Sequence, residues 1–178
     1  MNSNLEQFQA VWTWYRVASH ALNVFEQDIR VHPEDHLDEL QAESQQSVLS
    51  HVGACRDEME NFALLSLWAL FEEAINDWLA QRISWSGIPL EFDRGIRLGL
   101  AKRVQHWSIG EKIDALKALI GADVTKNLHA VRKWRDWVAH RKAGARPVAV
   151  DFDMAQNLLI AVLPQLELCP VGAAQSLS

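Results

Sequence analysis

The 178 residues include 49% hydrophobic side chains and five prolines, a composition that excludes disorder and lets one domain bury a continuous core without a metal or disulfide. Cys55 and Cys169 stand far apart with no C-x-x-C spacing, which argues against a disulfide framework and fits free thiols in a reducing cytosol. The net charge of −6 hides an asymmetry: residues 1–80 hold three cations and fourteen carboxylates, residues 81–178 fourteen cations and nine carboxylates.

The opening "MNSNLEQFQA" lacks the cationic segment and apolar run of a signal peptide, so a cytoplasmic protein is expected. Apolar residues then recur at three- and four-residue steps. Leu5, Phe8, Val11, Trp12, Tyr15, Ala18, Leu22, Phe25 and Ile29 predict a first long amphipathic helix. The polar "VHPEDHLDELQAESQQ" predicts a connection with room for one short helix, so residues 1–46 form an N-terminal helix and linker. A second, longer helix is predicted from about Ser47 to Ser84, ending at "SWSGIP". Its apolar run "FALLSLWALF" is about half of what a membrane span requires, and no membrane partner is expected. Two shorter helical pieces follow near 93–107 and 109–120. The next strong helix covers about Val124 to Lys142 and stops at Gly144 and Pro147. The last spans roughly Asp153–Leu166, capped by Asp151 or Asp153, with Pro164 expected to fray or kink its final turn. The fold class is all-α: a single helical bundle whose core is residues 47–167, with a tail at 168–178.

Two helices carry a charge on an apolar face. At about 100° per residue, Leu65, Trp68, Ile75 and Leu79 share one side, with Glu72 in its middle and Glu73 pointing away. Leu128, Val131, Trp134 and Val138 group likewise, and Arg135 lies among them. A lone charge on such a stripe is costly unless paired, so Glu72 and Arg135 are expected to face one another across the bundle or a dimer seam. His140 projects roughly 140° from Arg135, on the side of His129, Lys133 and Asp136. Asp136 stands four residues before His140, within reach of the imidazole, the side chain best suited to acid–base work near neutral pH. An exposed histidine meeting the helix's negative end accounts for the same residue without catalysis. Seven cations and one acid, Asp136, lie between Lys126 and Arg146. Either one anionic ligand or attraction between the acidic and basic halves explains that concentration.

"RDWVAHRKAG" on the penultimate helix, followed by a capped last helix, resembles the HEPN superfamily of small helical, usually dimeric domains. The family signature is an arginine, often followed by a polar residue, then histidine after four to six positions. "LSLWALFEEAINDWL" is similar to the family's long earlier helix, which often carries an acidic residue. Asp136 replaces the more frequent asparagine, and Arg141 stands where many members have glycine. A second spacing, Arg30 to His36, lies in the acidic, proline-containing connection, a poor place for RNA.

The resemblance implies a HEPN-like bundle of four core helices plus short extra ones, a homodimer, and metal-independent cleavage of RNA through attack of the 2′-OH on the adjoining phosphate. Arg135 would stabilise charge on the pentacoordinate phosphorus, with His140 as general acid or base oriented by Asp136. Arg132, Lys133, Arg141 and Lys142 would hold the strand, giving salt-dependent affinity. Trp137 would stack on a base, or else be buried in a dimer interface. The context implied is toxin–antitoxin or antiviral defence, with an antitoxin or other regulatory protein as a further partner. The alternative is a catalytically silent module of the same fold that dimerises and binds a protein or nucleotide. Neither a Gly-rich phosphate loop nor a cofactor box stands out, so no cofactor is expected. In "HPEDH" a proline after the first histidine argues against a zinc-protease helix, and no metal is expected.

Overall fold

A computed structural model of the chain describes residues 3–37, 44–84, 90–140 and 151–168. Every element among them is helical, in an all-α bundle: α1 (Ser3–Val31), α2 (Glu34–Leu37), α3 (Gln45–Ser84), α4 (Leu90–Gln105), α5 (Ile109–Ala115), α6 (Lys117–Ile120), α7 (Ala122–Ala139) and α8 (Phe152–Leu168). No helix among the described residues is long and apolar enough to cross a membrane. Cys55 is an exposed free thiol, and Cys169 lies outside the described residues. The chain divides into two compact units, Met1–Ser66 and Leu67–Ser178, at a point inside the 40-residue α3.

In the first unit, Ile29 of α1 and Val48 and Val52 of α3 form a buried cluster, with Leu22, Phe25 and Leu49 packed against it. Each fully buried side chain of this kind contributes roughly 1.5–3 kcal/mol. Polar bonds fix the register. Gln45 Nε2 donates to the Ile29 carbonyl at 2.9 Å, and Arg56 Nη2 donates to Glu26 Oε2 at 2.7 Å and Asn23 Oδ1 at 2.9 Å. The short α2 returns His36 to α1, where its ring meets Phe25 edge-on at 5.1 Å between centroids.

In the second unit α7 packs against α5, α6 and α8. Its buried Leu128, Val131 and Trp134 belong to a core that includes Leu67, Trp68, Phe71 and Ile75 of α3, Ile113 of α5 and Leu159, Val162 and Leu163 of α8. The entry to α5 is a capping box: Ser108 Oγ accepts from the Glu111 amide, and the Glu111 carboxylate accepts from the Ser108 amide. A turn at Leu116 separates α5 from α6. Gly121, at φ +84° and ψ 163°, then starts α7 in a new direction, a backbone conformation that is essentially glycine's alone. Asp151 caps α8, accepting from the Met154 amide at 2.7 Å. Pro164 sits inside α8 and the helix continues to Leu168, because proline removes one backbone donor without ending a helix whose inner face stays buried on both sides of it, at Val162, Leu163 and Leu166.

Candidate functional site

Arg135 and Glu72 meet within one chain. Arg135 Nη2 of α7 lies 3.3 Å from Glu72 Oε1 of α3, and both side chains are about 30% exposed (28% and 30%). The indole of Trp68, one helical turn before Glu72, donates to the same Oε1. The carboxylate is therefore fixed by a buried tryptophan on its own helix and presents itself to the guanidinium. The charge sits at the edge of the apolar stripe, where the guanidinium keeps contact with solvent. That is why α7 can carry an arginine there without sealing it.

The second face of the guanidinium is held by its neighbour. Arg135 Nη1 donates to Asp136 Oδ1 at 3.0 Å. The Asp136 carboxylate, which the four-residue spacing puts within reach of His140, thus bonds to Arg135. Adjacent residues on a helix rarely face each other, but the long arginine side chain bends back to cover the gap. His140 is the exposed C-cap of α7, at φ −102° and ψ 4°, with its amide donating to the Asp136 and Val138 carbonyls. The tip of the helix thus holds one guanidinium clamped by two carboxylates and one exposed imidazole on a different side.

The residues expected to hold a strand divide into three groups. Arg132 is turned onto α5: a Cβ on Gly110 would come 2.0 Å from Arg132 Nη1, so the absence of that atom makes room for the guanidinium. Lys133 is exposed, and Trp137 is half-buried and engaged in contacts of its own. Arg141 and Lys142 lie outside the described residues.

A constellation that the sequence pattern did not single out lies on the other side of α7. His129 Nε2 sits 2.9 Å from Asp114 Oδ1 of α5. Around this pair Lys117, Lys126 and Lys133 line an open groove of about 470 Å³, together with Ala122, Thr125 and Ala130. The i, i+3, i+7 spacing of Lys126, His129 and Lys133 was the available signal. The contribution of Asp114 and Lys117 from a separate helical piece carried none.

The other arginine–histidine spacing is absorbed in the first unit. Arg30 Nη2 pairs with Glu26 at 2.7 Å and His36 Nε2 with Asp28 at 2.7 Å. His32, Glu34 and Asp35 bring potential ligand atoms within 4.8 Å of one another, all exposed, while His36 turns toward Asp28. No family model matches the chain, and no curated protein or solved structure matches it.

Proposed function

We propose that the chain is a metal-independent endoribonuclease of HEPN type, acting in toxin–antitoxin or antiviral defence, with RNA as substrate. The observation that carries this reading is the tethering of Arg135. Its guanidinium is oriented at the solvent edge of α7 by Glu72 at 3.3 Å and Asp136 at 3.0 Å, in the same helix end that exposes His140. A planar donor fork held in place serves an oxyanion on phosphorus well, because no reorganisation is needed as charge develops. The imidazole takes the 2′-OH proton or delivers one to the leaving 5′ oxygen.

In one chain the two groups lie on different sides of α7, so the reading includes a homodimer in which one copy supplies the arginine and the other the histidine. An antitoxin covering this end in the cytoplasm would silence it.

The test is cleavage of a single-stranded RNA in the presence of EDTA. Wild type is expected to leave 2′,3′-cyclic phosphate ends, and Arg135→Ala or His140→Ala to slow cleavage about 10²–10⁴-fold. Loss of cleavage under chelation, or equal rates for all three proteins, contradicts the mechanism. One feature favours the alternative of a silent binding module: two carboxylates already occupy the guanidinium and compete with phosphate for it.

A further inference from the structure

We infer that the groove between α5 and α7 is a phosphate-binding track for a single nucleic acid strand. Three lysines, Lys117, Lys126 and Lys133, surround it, and its single acid, Asp114, is already engaged by His129. A chain with a net charge of −6 has therefore gathered a local excess of positive charge around one concavity. The three lysines are exposed and the lining between them includes the small Ala122, Thr125 and Ala130, so a backbone phosphate can approach α7 closely. Lysine ammonium groups are mobile point charges that suit phosphate oxygens without demanding one orientation.

The shape selects a strand over a small phosphorylated molecule. The groove is open to solvent and is not an enclosed cavity. The cationic face continues beyond it: at about 100° per residue, Lys126, His129 and Lys133 of α7 and its C-cap His140 fall within an arc of roughly 60°. They run about 21 Å along the axis. Asp136 borders this row, and its carboxylate is bonded to Arg135. A row of spaced cations on an open surface holds a repeating polyanion, whose successive phosphates each meet one. The row leads to the exposed imidazole of His140. The proposal rests on the ribonuclease reading only in naming the strand as RNA.

The probe is a fluorescent twelve-nucleotide RNA with 2′-O-methyl riboses, which cannot be cut by attack of its own 2′ oxygen, followed by anisotropy between 50 and 200 mM salt. Wild type is expected to bind with an affinity that falls steeply with salt. Lys126→Gln/Lys133→Gln should weaken binding at least about fivefold at the low-salt end. It should also reduce the slope of log K against log salt by about 1.4, or roughly 0.7 for each lost phosphate contact. Both lysines are exposed, so the melting temperature should not move; Lys102→Gln, on α4, should bind as wild type.

Equal binding by wild type and the double variant overturns the inference. So does equally tight binding of inorganic pyrophosphate, which would mark a site for small phosphates, or of a twelve-residue polyglutamate, which would mark one for acidic peptide. A chain that binds RNA through these lysines and never cuts it supports the groove and sinks the nuclease reading. A chain that cuts RNA yet binds it equally well with both lysines neutralised does the reverse.

Discussion

Glu72 shows how far one residue's position can be argued from spacing. Its place in the middle of an apolar side demanded a cationic partner, and Arg135, in the same predicament on α7, lies 3.3 Å away. Glu73, one position on, is exposed. Glu72→Gln removes the ion pair while leaving an oxygen for the Trp68 indole, so the expected cost is about 1 kcal/mol, discounted because the pair touches solvent. Glu73→Gln should stay within about 0.5 kcal/mol. Thermal unfolding should show a drop of about 2–4 °C for the first and almost none for the second. Equal shifts would mean that the pair contributes nothing beyond its geometry. The partner of Asp136 was not legible in the same way. Two bases lay within reach, Arg135 beside it and His140 four residues on, and sequence spacing does not rank an arginine that bends back against a histidine at a cap. His129 was legible as a member of a helix side but not as half of a pair, since Asp114 stands fifteen residues earlier on another helix.

Among the elements, the long amphipathic helices followed from the three- and four-residue recurrence of apolar side chains, and α3 and α8 occupy nearly the spans that the pattern predicts. The break between α5 and α6 did not follow from it. "IDALKALI" has continuous helical periodicity, and the turn falls at the buried Leu116, with Ile113 and Ile120 buried on either side and no glycine or proline to mark it. Two carboxyls tie element geometry to pH. The Glu26 carboxyl on α1 is held below its ordinary range by hydrogen bonds from Arg30 and then Arg56, and that of Glu111 by hydrogen bonds from the Ser108 side chain and backbone. A depressed folded-state value means that the stabilisation is present above the unfolded carboxylate range and lost as pH falls through the folded one. Lowering the pH through the acidic range should therefore loosen the α1–α3 contact of the first unit. Glu26→Gln should flatten the acid limb of its stability curve, measured by urea unfolding at stepped pH. A variant whose acid limb keeps the wild-type slope would remove Glu26 as the cause.

At the scale of the whole molecule, the charge asymmetry of the sequence follows the two compact units. The first, residues 1–66, holds three cations and eleven carboxylates; the second, residues 67–178, holds fourteen cations and twelve carboxylates. The unit that contains Arg135, His140 and the lysine groove is thus the one an anionic strand would approach. Where the division falls was hidden in the sequence, because α3 passes through Ser66 and Leu67 with unbroken apolar periodicity and no breaker residue. Helix projection treats one helix at a time, so the meeting of Arg135 and His140 that the proposed dimer requires could not be read from it.

Mixing two inactive variants reads that convergence directly. Arg135→Ala and His140→Ala chains, each expected to cut RNA about 10²–10⁴-fold more slowly alone, are unfolded together, refolded and assayed with EDTA present. If one copy lends its guanidinium and the other its imidazole, random pairing restores about a quarter of wild-type cleavage, since half the dimers are mixed and each holds one intact site. A mixture as inactive as its two parents, from a wild type that cuts RNA, would contradict a site shared between copies.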